Sequence, residues 1–338
     1  MGGPILEAML WDKLESNSVK CKLCGWRCSI PPGGRGKCAV RENREGTLYT
    51  LVYGKVASCA VDPIEKKPLY HFHPGTTSFS IATMGCNFKC LFCDNWMLSQ
   101  QKEIKGEDMP PSKIVEVAKG MGCSSISYTY TEPTIFFEYT YDTAKLAHKA
   151  GLYNTYVTNG YMTVEAVDTI DGLLDAATVD FKGSADPGFY KKFCGALDVS
   201  PIFQALSEMK RKKIHIEITN LIVPDGGDAK EPFIKLVKWI HDELGEETPL
   251  HILKFFSSYK YEGQADTRTE YLEELWNESK GLGMKYVYLG NVPAPEYNNT
   301  YCPHCWNIIV ERSGFNVTAI HAKNGRCTFC GGDINLVI

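Results

Sequence analysis

The sequence predicts an α/β fold: a parallel sheet of six βα units, with a cysteine-rich module ahead of it and a small cysteine ribbon behind it. Three observations support this. Strand-like and helix-like segments alternate from about residue 78 to residue 289. The strand-like segments are short and apolar-rich, as strands buried on both faces are. Eleven of the 14 cysteines fall into three tight groups, one before the alternating region, one at its first strand exit and one after it. Eight units would close a barrel, so six predict a partial (β/α)6 TIM-type barrel or an open doubly wound sheet. In either case chemistry belongs where strands end and loops begin, at the C-terminal edge.

The elements follow in order. Ser78–Thr83 reads as a strand feeding the middle cysteines. Helix Pro111–Met121 places Ile114, Val115, Val117, Ala118 and Met121 at helical spacing, with Ser112 as candidate N-cap. Strand Ser125–Tyr130, helix Ile135–Ala150 closed by Gly151, and strand Asn154–Thr158 come next. Helix Val164–Leu174, strand Ala177–Phe181, helix Pro201–Lys212 and strand Ile214–Val223 continue the pattern. Helix Glu231–Leu244, strand Leu250–Phe256, helix Thr269–Leu282 and strand Tyr286–Leu289 complete it. The expected domains are therefore 1–76, 77–292 and 293–338. Cys86, Cys90, Cys93, Glu132, Asn159, Lys182 and Asn220 all fall at strand ends.

Composition narrows the function classes. The net charge of -4 and a pI near 6.1 argue against nucleic-acid binding, which needs a basic face. The longest apolar run is four residues, Tyr286–Leu289 for example, far short of the about 20 that span a membrane. Glu7 and Asp12 interrupt any signal-peptide core, so a cytoplasmic, reducing setting is expected. There, grouped cysteines read as metal ligands and not as disulfides. Cys59, Cys123 and Cys194 stand alone and read as small buried hydrophobes.

Each group has its own chemistry. Cys86-x3-Cys90-x2-Cys93 supplies three thiolates on one loop, while a [4Fe–4S] cube has four irons that each want a terminal ligand. With no fourth cysteine near in sequence, one iron is left open; the alternative is zinc with three cysteines and a distant histidine. Cys21-x2-Cys24-x3-Cys28-x9-Cys38 has one knuckle where a structural zinc site has two. This asymmetry favours a second [4Fe–4S] cluster with no open iron, suited to electron transfer, over zinc. His71 and His73 follow as candidate extra ligands or ordinary loop histidines. Cys302-x2-Cys305-x21-Cys327-x2-Cys330 has both knuckles and reads as a zinc ribbon or rubredoxin-like iron site. A segment this short needs such a staple to fold.

The stretch Gly85–Trp96 (GCNFKCLFCDNW) resembles the signature of radical S-adenosylmethionine enzymes. Asp62–Phe72, Tyr128–Thr134 (YTYTEPT) and Tyr288–Cys302 resemble one branch of them, the AmmeMemoRadiSam-system radical SAM proteins, relatives of pyruvate formate-lyase activating enzyme. The resemblance runs from about Leu6 to Ile334 and implies the partial barrel. It implies that Cys86, Cys90 and Cys93 hold the catalytic [4Fe–4S] cluster, whose open iron binds S-adenosylmethionine. Phe92 is then expected near the adenine. Tyr130-Thr131-Glu132-Pro133 occupies the place of the family's Gly-Gly-Glu-Pro segment, which puts Glu132 on the methionine ammonium; the departure from Gly-Gly puts the cofactor contacts of Tyr130 and Thr131 in doubt. Asn159 and Lys182 fall at the next two strand ends, as contacts to the ribose or the carboxylate. A plainer reading has Thr131 and Glu132 start the following helix and Asn159-Gly160 form a turn. Gly25-Trp26-Arg27 and Phe256–Tyr259 depart from proline-containing versions in the branch, the latter hinting at a divergent substrate pocket.

The function expected is anaerobic, oxidoreductase-type hydrogen abstraction. S-adenosylmethionine is cleaved to a 5′-deoxyadenosyl radical that attacks a C–H bond of a small molecule, lipid chain or peptide. A ferredoxin or flavodoxin supplies the electron, and an auxiliary metal site assists. One alternative is a glycyl-radical-enzyme activase. Another, from a different class, is a non-enzymatic metal-ribbon protein that carries electrons or binds a partner.

Overall fold

Strand pairing decides between the two architectures. In the computed structural model, which describes residues 6–293 and 295–338, eight strands form one sheet. We number them β1 (Ser58–Pro63), β2 (Thr77–Ala82), β3 (Ser125–Tyr128), β4 (Tyr153–Thr158), β5 (Ala176–Lys182), β6 (His215–Ile222), β7 (Leu250–Lys254) and β8 (Val287–Gly290). Their order in the sheet is their order in the chain, and β2 to β8 are all parallel. A doubly wound sheet reverses direction at a switch point; this one never does, so it is a singly wound partial barrel. The first residues of the 1–76 segment and Ala294, within the Tyr288–Cys302 stretch, lie outside the described residues.

Six principal crossover helices cover the outer face: α1 (Pro111–Gly120), α2 (Phe137–Lys149), α3 (Val164–Ile170), α4 (Ser200–Arg211), α5 (Lys230–Trp239) and α6 (Thr269–Gly281). α4 shows the packing rule, burying Ile202, Ala205, Leu206 and Met209 on one stripe. Two helix starts differ from expectation. α1 begins at Pro111 with Pro110 as its cap, so Ser112 lies inside the helix and caps nothing. A 3₁₀ turn, Pro133–Phe136, precedes α2, and Glu132 caps that turn. No helix among the described residues is long and apolar enough to cross a membrane.

β1 is antiparallel to β2, pairing Asp62 with Ser78 and Ser58 with Ala82. On this edge strand Cys59 is exposed, not buried as expected; Cys123 and Cys194 are buried. The chain after β1 runs beneath the sheet's N-terminal edge, where the Glu217 carboxylate of β6 accepts the backbone N–H groups of Tyr70 and His71, at 3.0 and 2.7 Å, and faces His251 at 2.8 Å. His71 Nε2 meets the Tyr288 hydroxyl at 2.6 Å. The C-terminal ribbon closes this end. Arg312 donates to the Tyr70 carbonyl at 2.7 Å and to Thr300 at 2.8 Å, and stands 3.7 Å from the buried Glu65. His71 and His73 thus serve the barrel's lower end, where the His73 ring stacks on Tyr153.

Burial lowers the His71 pKa from 6.5 to about 4, against the opposing pull of Glu217. Unfolded His71 therefore takes up a proton that the folded protein refuses between those values, so stability should fall as pH drops from 6.5 towards 4. The loss should amount to roughly 3 kcal/mol at 1.36 kcal/mol per pKa unit. Denaturant midpoints measured across this window should show the slope, and His71→Gln should flatten it.

Candidate functional site

The parallel register delivers seven strand ends to one rim, and a cavity of 370 Å³ opens there. Cys86, Cys90, Cys93, Phe92, Tyr130, Thr131, Glu132, Asn159 and Lys182 all line it. The three cysteines follow β2 directly. Cys90 is buried, while Cys86 and Cys93 are partly accessible. Burial raises the Cys86 thiol pKa, and the Glu132 charge adds to this.

Glu132 is the polar hub. Its Oε1 accepts from the Thr134 N–H at 3.0 Å and from the Thr134 and Thr158 hydroxyls at 2.6 Å each, while Oε2 accepts only the Asn159 N–H, at 2.8 Å. Burial raises the pKa of this carboxyl, and these donors oppose the rise. The helix-start role and a place on the cavity wall are therefore combined in one side chain. Asn159 extends the connection, donating from Nδ2 to Asn87 Oδ1 at 2.7 Å inside the cysteine loop. Asn87 Nδ2 is buried with no partner among the described residues.

Lys182 stands 3.8 Å from Asp180. Burial alone would lower its pKa, but the charges of Asp180, Cys90, Cys194 and Cys86 hold it raised. Phe92 packs among Phe189, Phe255 and Tyr261, with ring centroids 5.8, 6.1 and 6.5 Å away. Thr131 donates to the Thr83 carbonyl at 2.9 Å. Tyr130 adopts φ 62°, a left-handed backbone that favours glycine. Its hydroxyl bonds Asp62, and the Lys67 ammonium lies 4.6 Å from its ring centre. Those contacts hold a tyrosine in a glycine conformation.

Further residues line the cavity, and of Lys66, Lys67, Asp180 and Thr219 only Asp180 lies in a strand-end segment singled out by the sequence. Lys66 and Lys67 share the Asp62 carboxylate, at 2.9 and 2.5 Å, and both reach the cavity wall. Asp180 and Thr219 face the interior and bond each other at 2.5 Å. The Cys194 thiol lies beside Cys90 and, ahead of burial, is the first cause of that thiol's raised pKa. Asn220 instead secures the turn after β5, holding Ser184 through two 3.0 Å hydrogen bonds. The Phe256–Tyr259 segment meets the cysteine loop, where Tyr259 stacks on Trp96 at 5.0 Å.

Two further cysteine groups lie apart from this cavity. The four C-terminal sulfurs sit within 4.8 Å of one another, with Cys302–Cys330 at 3.7 Å and Cys305–Cys327 at 3.8 Å. A tetrahedral ion with metal–sulfur bonds near 2.3 Å requires edges of about 3.8 Å, so this group can hold one metal ion. At the N-terminal group, Arg41 donates to Cys21 Sγ at 3.3 Å and pairs with the buried Glu138. Burial, then the neighbouring Cys21 and Cys38 charges, raises the Cys24 pKa.

The family model of the radical SAM superfamily matches residues 80–240. Over 336 residues the chain is 45% identical to the uncharacterized protein MJ0808 of Methanocaldococcus jannaschii, covering 98% of this chain and 99% of that one. The chain belongs to the radical SAM superfamily. MJ1632 of the same organism, which bears the provisional name of a glycyl-radical enzyme activating enzyme, is 26% identical over 154 residues, covering 45% of this chain and 58% of that one. In fold, this radical SAM protein is similar to a radical SAM methyltransferase from Sphaerobacter thermophilus, with TM-score 0.51 and 12% identity, covering 85% of this chain and 76% of that one. Membership supports an enzyme and implies S-adenosylmethionine and a [4Fe–4S] cluster.

Changing Cys327 and Cys330 together to serine should remove one metal equivalent. Hydrogen exchange should then rise across residues 300–331 while β3 and β4 keep their protection, as mass spectrometry of the two forms would report.

Proposed function

We propose that this radical SAM protein cleaves S-adenosylmethionine reductively at a cluster held by Cys86, Cys90 and Cys93, and abstracts hydrogen from a C–H bond of its own substrate. That substrate is a small molecule, a lipid chain or a peptide. The observation behind this reading is the convergence of nine residues from four chain segments on one cavity at the barrel's C-terminal rim. The donor set suits a sulfur-rich group, since three thiols share the wall and the unpartnered Asn87 amide is a donor of the kind cluster sulfurs accept. Bound there, the cluster and its cofactor supply a primary carbon radical able to attack unactivated C–H bonds.

The protein's own part is to bind, orient and exclude water. Oε2 of Glu132, with a single donor, keeps capacity for the methionine ammonium. Asn159 and Lys182 face the ribose and carboxylate side, and the Lys182 charge balances the sulfurs around it. Phe92 offers an apolar wall to the adenine, with Tyr130 and Thr131 forming the opposite rim. The electron comes from a ferredoxin- or flavodoxin-type donor, and the N-terminal cysteines form an auxiliary metal site. The similarity to MJ1632 supports a second reading, in which the hydrogen is taken from a glycine of a partner enzyme.

Anaerobically reconstituted protein given dithionite and S-adenosylmethionine should form 5′-deoxyadenosine and methionine in equal amounts. Replacing Cys86, Cys90 and Cys93 by serine should abolish both. A glycyl radical signal in a co-purified partner would favour the second reading; changed metabolites or lipids in cells lacking the gene would favour the first.

Glu132→Gln removes the negative charge proposed to face the methionine ammonium and keeps one oxygen as an acceptor for the surrounding donors. Losing that charge-assisted hydrogen bond to the ammonium costs roughly 1.5–3 kcal/mol. Cofactor affinity should fall about ten- to a hundredfold at 1.4 kcal/mol per decade. Metal content should stay unchanged, and calorimetry with S-adenosylmethionine would measure both binding constants.

A further inference from the structure

We propose that Cys21, Cys24, Cys28 and Cys38 hold a four-iron cluster, not a single zinc ion, and that this cluster relays the electron to the Cys86, Cys90 and Cys93 site. The relay rests on the radical reading above; the nature of the metal does not.

Sulfur spacing separates the two kinds of site. Thiolates on a single zinc stand about 3.8 Å apart, whereas thiolates on four irons of a cube stand roughly 6 Å apart. The C-terminal cysteines have the first spacing. Among the described residues no other group of three or more metal-ligating side chains gathers within 4.8 Å, so the N-terminal sulfurs are set wider. Two of them converge on Gly36, whose Cβ position would be 3.7 Å from Cys38 Sγ and 3.8 Å from Cys28 Sγ. Arg41 adds a second observation. It is 1% exposed, donates to Cys21 Sγ, and keeps its Nε buried with no partner among the described residues. A buried guanidinium with a spare donor suits a cluster whose sulfurs accept hydrogen bonds and gain negative charge on reduction.

The wiring is shown by two contacts. A Cβ at Gly85, the residue before Cys86, would lie 3.0 Å from the Cys38 carbonyl oxygen and 2.6 Å from a Val40 methyl, so only glycine lets the two cysteine segments touch. On the other side Trp26, between Cys24 and Cys28, donates its indole N–H to the Asn87 carbonyl at 2.8 Å. Each contact joins the immediate neighbour of Cys86 to the N-terminal site. Cys21, Cys24 and Cys38 are buried, while Cys28 is partly exposed. Cys28 therefore marks the entry edge and Cys38 with Trp26 the exit. One electron enters from a low-potential one-electron donor protein, reduces the N-terminal cluster, and leaves it for the radical site; no proton or bond changes along the way.

The full chain, reconstituted anaerobically, should hold about eight irons and one C-terminal metal ion. The Cys86, Cys90 and Cys93 triple serine variant should retain about four irons with an isolated spin-½ signal on reduction. In the parent protein the reduced spectra should be broadened by coupling between neighbouring clusters. Two zinc ions with about four irons would overturn the four-iron assignment, and S-adenosylmethionine cleavage by that same sample would leave the radical reading standing. For the relay, protein loaded with one electron by reduced ferredoxin is mixed with S-adenosylmethionine and freeze-quenched. The N-terminal signal should decay as methionine appears, and Trp26→Phe, with metal content unchanged, should slow both several-fold. Methionine release while that signal persists, or an unaltered rate in Trp26→Phe, would overturn the relay.

Discussion

The working edge of this barrel depends on one buried carboxylate. Removing Glu132 from water is costly, and the cost is met only because donors from Thr134, Thr158 and Asn159 converge on it. Those donors come from a helix start and from the end of the next strand. Their convergence sets how β3 and β4 terminate and aims the Asn159 side chain at Asn87. The cysteine loop, a long excursion after β2, thereby takes its orientation from a group on another strand. Phe88 and Phe92 anchor that loop in the core against Tyr161 and Phe189, and the polar chain adds a directional restraint at Asn87.

Much of this was legible in the sequence because parallel sheets are simple in one respect. When each strand is followed by its own helix, strand exits share an edge, so residues predicted at exits must meet. Cys86, Glu132, Asn159 and Lys182 could be placed together from that rule alone. What was hidden came from contacts that no local pattern encodes. Ser58–Pro63 alternates small, polar and apolar residues and ends in proline, a weak signature for the edge strand it forms. Lys66 and Lys67 reach the cavity because their segment passes under the sheet, and Asp180 and Thr219 matter because β5 and β6 set them side by side. Asn220 shows the opposite error. It sits at a strand end with suitable chemistry, yet the pleat turns it towards Ser184.

Tyr130 illustrates how a departure from a family pattern can be absorbed. Glycine tolerates a left-handed backbone without help, whereas tyrosine needs restraints to stay there. Asp62 and Lys67 supply them, and both belong to the Asp62–Phe72 stretch. Two unusual sequence features, far apart in the chain, are therefore halves of one local arrangement. The same Asp62 neutralises part of the charge that Lys66 and Lys67 bring to the cavity wall.

The lower end of the barrel has an implication for how the chain matures. Glu217 holds backbone from Tyr70 and His71 some 146 positions away, and Arg312 clasps Tyr70 across 242. Contacts so distant form late, since loop closure must precede them. While the ribosome is still making the last strands, the segment holding Lys66 and Lys67 has no floor to rest on. The lower end is therefore fastened only after the last residues have been made, while the rim that carries Cys86, Cys90 and Cys93 lies at the other end of the strands.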